Sequence, residues 1–315
     1  MSGETAITIG NFDGVHAGHA RLIERARELA GPAGRVVALA FYPHPLTKLA
    51  PERAPAVLTP LAEKTRLARE LGADELRALA PEDALLSRTP EEFLRAVALE
   101  HGPTWIVEGE DFRFGARRAG DVVTLRRLGA ELGFRVDVPA TVEVELGDQS
   151  VVRASSTIAR WLIAHGRMRD ARRVLGRSYR LFGTVGRGAQ RGRELGFRTA
   201  NLLAENLAPG EGVYAATAIL PDGSTRATAL SVGTNPTFNR SFGAGVAVSV
   251  EAHVLDWDGA GAPEYGYELA IDVHEWIREQ RTYSDPAALV DQIARDVERV
   301  REACARAPEA QEAAA

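Results

Sequence analysis

Hydrophobic positions in the first half of the chain follow two patterns that alternate. An unbroken run from Ala6 to Ile9 stops at Gly10, and apolar residues then recur at helical spacing from Leu22 and Ile23 through Ala26 to Leu29 and Ala30. The run "RVVALAFYP" is nearly continuous, as in a strand covered on both faces, and "TWIVEG" is another. Helices are predicted for "LAEKTRLARELG", for "TPEEFLRAVALEHG" and for "DVVTLRRLGAELG", which starts at Asp121 and ends at a glycine before "FRVDVP". The second of these opens on a capping box, Thr89 with Glu92 three residues on and Pro90 at the first helical position. Strands separated by helices imply parallel pairing through crossovers, hence a doubly wound α/β domain over residues 1–160. Ligands of such sheets bind outside the carboxyl ends of the strands.

The period changes further along. After the helical connector "SSTIARWLIAHGRMRDARRVLG", whose residues 161–178 are taken as a linker, short strand-like runs follow one another without helices. They are "YRLFGTVG", "GVYAATAIL", "TRATALSVG", "VAVSVEAHVLDW" and "YELAIDVHEWI", punctuated by Gly, Pro, Asn and Asp. This pattern predicts a small antiparallel β-barrel over residues 179–308, closed by a long amphipathic helix capped by Ser284 or Asp285. Residues 309–315 have nothing to bury and are expected to fray.

Composition narrows the class. The 315 residues suffice for two cores, and 45% hydrophobic with 26% charged residues is ordinary for a soluble protein. A net charge of -5 argues against a nucleic-acid binder with a strongly basic surface. With Cys304 as the one cysteine, an internal disulfide or a Cys-based zinc site is excluded. No apolar stretch is long enough for a bilayer, and "MSGETA" lacks a signal-peptide pattern, so no membrane association and a cytoplasmic location are expected.

The candidate chemistry begins in the turn "GNFDGVHAGH". A glycine-rich link from strand to helix is a phosphate seat, because unpaired amides and the positive end of the helix dipole converge there. His16 and His19, three apart on the first helical turn, share a face and can address one phosphate. Imidazolium groups there would offset the charge that builds up when a nucleotide α-phosphate is attacked and pyrophosphate leaves. "GEDFRFG" follows another strand: Asp111 can accept hydrogen bonds, Phe112 and Phe114 offer apolar surface to a flat ring, and Arg113 can meet a phosphate. The helix opening Ser155, Ser156, Thr157 can hold phosphates with its hydroxyls and amides, with Arg160 a turn later. In the second half, "GTVGRGAQRGRELGFRTANL" joins strands through a loop rich in Gly and Arg that suits a nucleotide diphosphate.

The turn "GNFDGVHAGH" resembles the HxGH signature of the nucleotidyltransferase superfamily, in the form found in prokaryotic bifunctional riboflavin kinase/FMN adenylyltransferases, or FAD synthetases. The resemblance continues through "FYPHP", "LTPLAEKTRLARELG", "GEDFRFG" and "SSTIAR", and through the second half, covering most of the chain. It implies a Rossmann-like nucleotidyltransferase domain followed by a riboflavin kinase barrel with a C-terminal helix. In the first, Gly10, Phe12, Gly14, His16, His19, Ser155, Ser156, Thr157 and Arg160 would bind ATP, with His16 and His19 catalytic. Asp111, Phe112, Arg113, Phe114 and His44, the last fixed between two prolines, would bind the flavin. Many relatives carry a further Arg after the SST; this chain has Ile158.

In the kinase barrel, the resemblance assigns Gly186, Arg187, Gly188, Gly192, Gly196, Thr199 and Asn201 to ATP. Thr199 and Asn201 would hold Mg2+ against the phosphates, and Glu251 matches the catalytic glutamate, the general base on the terminal ribityl hydroxyl. The family's PTAN reads "RTAN" here, so Arg198 replaces a proline that would fix the backbone ahead of Thr199 and Asn201. The implied function is ATP-dependent phosphorylation of riboflavin to FMN in the barrel, then adenylylation of FMN to FAD with release of pyrophosphate. Alternatives are an adenylyltransferase with a weakened kinase module, a flavin-binding regulator, and a nucleotidyltransferase for another phosphorylated acceptor. The sequence leaves oligomeric state open.

Overall fold

Parallel pairing begins at the first strand, as the alternation of runs requires. In a computed structural model that describes residues 3–187, 198–234, 248–259, 261–281, 283 and 285–306, β1 (Thr5–Gly10) pairs with β2 (Arg35–Phe41) on one side and β4 (Trp105–Val107) on the other. With β3 (Glu75–Leu79) and β5 (Arg135–Asp137) the order is β3-β2-β1-β4-β5, all parallel. The order reverses between β1 and β4, which makes the carboxyl ends of those two strands the topological switch point.

Both faces of this sheet are covered, which is why its strands read as continuous apolar runs. On one face Ile7, Ile9, Val37, Leu39 and Ile106 pack with Phe93, Leu94 and Val97 of α5 (Pro90–His101) and Leu125 and Leu128 of α6 (Val122–Leu132). On the other, Ala6, Val36, Ala38, Ala40 and Val107 meet Ile23, Ala26 and Ala30 of α1 (Ala17–Ala30) and Ala68 of α3 (Leu61–Glu70). The Thr89–Glu92 capping box is formed at α5, and Asp121 caps α6 by accepting from Thr124 N at 2.8 Å. Two one-turn helices, α2 (Leu46–Leu49) and α4 (Asp83–Leu86), lie in the connections, and β6 (Glu143–Glu145) and β7 (Val151–Arg153) form a separate two-stranded ribbon.

The connector is two helices, α7 (Ser156–Ala164) and α8 (Met168–Leu175), interrupted at Gly166, whose φ of 68° ends the first. The barrel follows. Six antiparallel strands close in the order β10-β11-β12-β9-β8-β13, with β8 (Tyr179–Gly186), β9 (Ala200–Ala204), β10 (Gly212–Ile219), β11 (Thr225–Thr234), β12 (Val248–Val254) and β13 (Glu268–Arg278). Along β8 every second residue is buried, the alternation of a barrel wall. Helix α9 (Pro286–Arg306) covers Ala215 and Ile277 with Val300 and Ala303. The Asp285 side chain accepts from Ala287 N at the start of α9; Ser284, the other cap named above, lies outside the described residues.

By contact the chain divides into two units. The first comprises Met1–Pro55, Leu61–Val144 and Val152–Ser156; the second comprises Ala56–Pro60, Glu145–Val151 and Thr157–Ala315. Among the described residues no helix is long and apolar enough to cross a membrane.

Candidate active sites

The turn after β1 is held in a conformation that L-residues avoid. Phe12 and Val15 have φ of 46° and 39°, and both side chains are buried in the core, so packing pins a backbone that would otherwise relax. His16 then stands at the N-cap of α1, and its carbonyl accepts from Ala20 N at 3.0 Å. The imidazoles of His16 and His19 stack with centroids 3.7 Å apart, and Phe12 leans on His19 at 4.9 Å. Position 18 is tight: a Cβ there would lie 3.1 Å from the His16 ring, which would have to shift by a few tenths of an ångström. His16 is buried and His19 half-buried. Ser156 joins this turn by donating to the Asp13 carbonyl at 2.7 Å, and its neighbour Ser155 belongs to the same unit. Thr157 and Arg160 belong to the second unit, where Arg160 Nε donates to the Ala56 carbonyl at 2.7 Å.

Beside the turn opens a cleft of about 400 Å³ at the carboxyl ends of β1 and β2. It gathers Gly10 with His44, Asp111, Phe112, Arg113 and Phe114, residues drawn from three distant stretches of the sequence. His16 and His19 are not among its lining residues; the cleft reaches the turn at Gly10 and Asn11. Phe112 and Phe114 stack at 5.2 Å, with Phe114 in the core and Phe112 half-buried at the wall. Asp111 is ion-paired with Arg153 at 3.1 Å, and Arg113 donates to the Phe112 carbonyl at 2.8 Å. His44 Nδ1 accepts from Leu46 N at 3.1 Å, which puts the proton of the neutral ring on Nε2. The Asn11 side-chain oxygen is buried with no hydrogen-bond partner among the described residues, an acceptor the protein leaves to something else.

Two charged residues of this region escaped the sequence reading. Lys64 is 2% exposed, and its ammonium donates to the Asn11 carbonyl at 2.7 Å and lies over the Tyr42 ring. This sets a cation beneath the turn. Its signal was a lysine on the same helical stripe as Leu67, Ala68 and Leu71. Glu108, also 2% exposed, follows β4 and accepts from Ile9 N at 2.5 Å. Burial pushes its carboxyl well above the ordinary carboxylate range, against the Ile9 amide, which favours the anion; the charge of Asp111 adds to the rise. Its signal was an acid closing an otherwise apolar run.

In the barrel, the residues singled out line up across strands. Gly186 on β8 pairs with Asn201 on β9, Asn201 with Glu251 on β12, and Glu251 with Ser231 on β11, one lateral row whose members share a face. Ser231 accepts from Gln280 Nε2 at 2.7 Å, and Gln280 was not anticipated. A pocket at this end is lined by Gly186, Thr199 and Asn201 together with Arg198, Trp257 and Tyr265. Glu251 does not line it; the β12 residues that do are Ala252 and Val254, on the opposite face of that strand. Arg187 lies over the Tyr265 ring at 5.5 Å. Arg198 itself is held without proline: its carbonyl meets His253 Nδ1 at 2.8 Å, and its guanidinium donates to the Asp258 carbonyl. Gly188, Gly192 and Gly196 lie outside the described residues.

Known proteins align with both halves. A family model described as FAD synthetase matches residues 1–155, and one described as riboflavin kinase matches residues 175–304. The chain is 33% identical over 293 residues to the bifunctional riboflavin kinase/FMN adenylyltransferase of Escherichia coli (strain K12), covering 92% of this chain and 90% of that one. To the protein of the same description from Pseudomonas fluorescens it is 36% identical over 296 residues, again covering 92% and 90%. A crystal structure described as a macrolide-efflux protein from Streptococcus pneumoniae matches with a TM-score of 0.82 at 26% identity, covering 96% of this chain and 95% of that chain. With two units of these folds, each matched by its own family model, and full-length relatives above 30% identity, the chain belongs to the bifunctional riboflavin kinase/FMN adenylyltransferase family.

Proposed function

We propose that the chain carries out two successive steps of flavin-nucleotide synthesis, each in its own unit. In the barrel, Glu251 takes the proton of the terminal ribityl hydroxyl of riboflavin as that oxygen bonds to the γ-phosphorus of ATP, and ADP leaves. In the first unit, a phosphate oxygen of FMN bonds to the α-phosphorus of a second ATP, and the bond to the departing pyrophosphate breaks. His16 and His19 stabilise the charge that develops there. Neither step needs a covalent protein intermediate, because positioning and charge neutralisation are the main demands.

The observation that carries this reading is the cleft of the first unit, which unites Gly10, His44 and Asp111–Phe114 at the carboxyl edge of the sheet. Its aromatic walls suit a flat ring, and it reaches the phosphate-seat turn at Gly10 and Asn11. The reading rests on this cleft and on the two family matches, not on the efflux description of the streptococcal structure. Thr199 and Asn201, neutral hard-oxygen donors on one pocket, fit a magnesium ion that keeps most of its other ligands as water and substrate phosphate. When bound, it would neutralise charge on the transferring phosphates. A cytoplasmic setting fits the single cysteine.

The test is a time course of the purified chain with riboflavin, ATP and magnesium, the flavins resolved by chromatography. FMN should rise first and FAD after it, and chelation of the metal should stop the sequence. Supplied FMN that yields FAD, with riboflavin never converted, would leave only the adenylyltransferase half of the reading standing. Release of no pyrophosphate from FMN and ATP would remove that half.

A further inference from the structure

The loop after Phe114 closes on itself. Phe114 and Gly120 exchange backbone hydrogen bonds, Phe114 N to Gly120 O at 3.1 Å and Gly120 N to Phe114 O at 2.9 Å. Between them Arg117 and Arg118 both adopt the left-handed region, with φ of 53° and 59°. Glycine enters that region without cost, whereas a Cβ crowds the following carbonyl, so two consecutive arginines there require compensation. The surroundings enforce the geometry. Ala116 N donates to the Arg88 carbonyl at 2.6 Å, and Arg118 N to the Gly115 carbonyl at 2.9 Å. A Cβ at Gly115 would stand 2.6 Å from Pro90 N, so the loop is seated directly on the start of α5.

This strained pair is exposed, and it lines the same cleft as Phe41, Phe93 and Phe112. Neither guanidinium has an ion-pair partner among the described residues. Arg113, the cation that the sequence reading nominated, is already engaged: it donates to the Phe112 carbonyl and lies in the field of Asp121. Two uncompensated guanidinium groups at the rim of an aromatic cleft recognise an anion with oxygens in a compact array. Backbone held away from its preferred region clusters at ligand clamps and active sites.

We propose that Arg117 and Arg118 bind the phosphate oxygens of a nucleotide held in this cleft and so set its preference for phosphorylated ligands over the bare ring. The inference rests on the adenylyltransferase reading of the first unit. The phosphate has two sources, the monophosphate of FMN and the terminal phosphates of ATP, and steady-state kinetics separate them.

The experiment uses the full chain, forming FAD from FMN and ATP, with the parent, Arg117→Gly/Arg118→Gly and Arg117→Lys/Arg118→Lys compared. Lumiflavin, which has the ring but no ribityl phosphate, serves as competitor. Glycine suits both backbone positions, so the glycine pair should melt at or above the parent temperature. Its KM for one of the two phosphorylated substrates should rise at least about tenfold, the worth of one charge-assisted hydrogen bond, with kcat within about twofold. The substrate whose KM moves identifies the source. The lumiflavin inhibition constant should stay at the parent value, and the lysine pair should recover most of the loss. Unchanged KM values for both substrates, or a lumiflavin constant that weakens in step with FMN, would overturn the proposal. A parent chain that makes no FAD removes the adenylyltransferase reading and the proposal together; a failure confined to the variants removes the arginine pair alone.

Discussion

Glu251 and Asn201 are direct cross-strand partners, joining β12 to β9 at the position where Gly186 completes the row from β8. The pairing sets the proposed base beside a proposed metal-holding amide through backbone register alone. Glu251→Gln keeps the shape and removes the base. Riboflavin phosphorylation should fall by about 10²–10⁴-fold, the usual worth of a positioned general base. Conversion of supplied FMN to FAD should be unchanged, and an equal fall in both reactions would assign Glu251 a structural role instead.

The stacked imidazoles of His16 and His19 make a complementary prediction for the first unit. His19→Ala should slow FAD formation by about 10²–10³-fold, comparable to removing one preorganised charge-stabilising donor. Incubated with riboflavin and ATP, this variant should accumulate FMN. His16 makes no side-chain capping hydrogen bond to α1, so His16→Ala sacrifices no helix cap. Its activity loss should therefore exceed what its melting temperature explains, and a loss matched by unfolding would sink the catalytic assignment.

Much of this arrangement was legible because period and burial agree. The apolar runs of β1, β2 and β4 are continuous since helices cover both faces, and the barrel strands alternate since one face meets a core. β3 was missed because it is an edge strand whose residues are mostly half-buried, with Glu75 and Arg77 taking the places of apolar residues. β9 was missed because its five residues begin with the last two of the RTAN motif that had been read as a ligand loop. Lys64 and Glu108 were hidden for another reason: each occupies a buried position, and a sequence does not state which carbonyl or amide will receive a buried charge. The row from Gly186 to Ser231 is a matter of register, which is set by contacts between strands far apart in the chain.

Glu108 makes a prediction about pH. Its folded-state carboxyl titrates well above the ordinary range because it is buried, whereas the unfolded chain ionises it near the ordinary value. Between those two values the folded state holds a proton that the unfolded state has lost. Stability therefore falls as pH rises through that window and levels off above it. Glu108→Gln keeps an oxygen to accept from Ile9 N and cannot ionise. Thermal melts should show the variant equal to the parent near pH 4 and more stable than it at pH 8. A constant difference across that range would show that Glu108 does not titrate on folding.

The grip of α9 on the barrel can be tested at Arg278 and Asp296. The Arg278 Nε lies 3.0 and 2.9 Å from the two Asp296 oxygens and Nη2 lies 2.6 Å from one of them, while Gln292 Nε2 donates to the other at 2.9 Å. Asp296 is 3% exposed, so the pair is screened little by solvent. Asp296→Ala strands a half-buried guanidinium and should cost about 3 kcal/mol in denaturant unfolding. Replacing both partners, as Arg278→Met with Asp296→Leu, removes the desolvation burden along with the attraction and should cost markedly less than the single change. Gln280, two residues beyond Arg278, bonds Ser231 in the row that contains Glu251, so displacement of this end of β13 would reach the proposed kinase site. Asp296→Ala should accordingly lower riboflavin phosphorylation before it unfolds the chain. If the double variant is no more stable than Asp296→Ala, the buried charge is not what the aspartate neutralises.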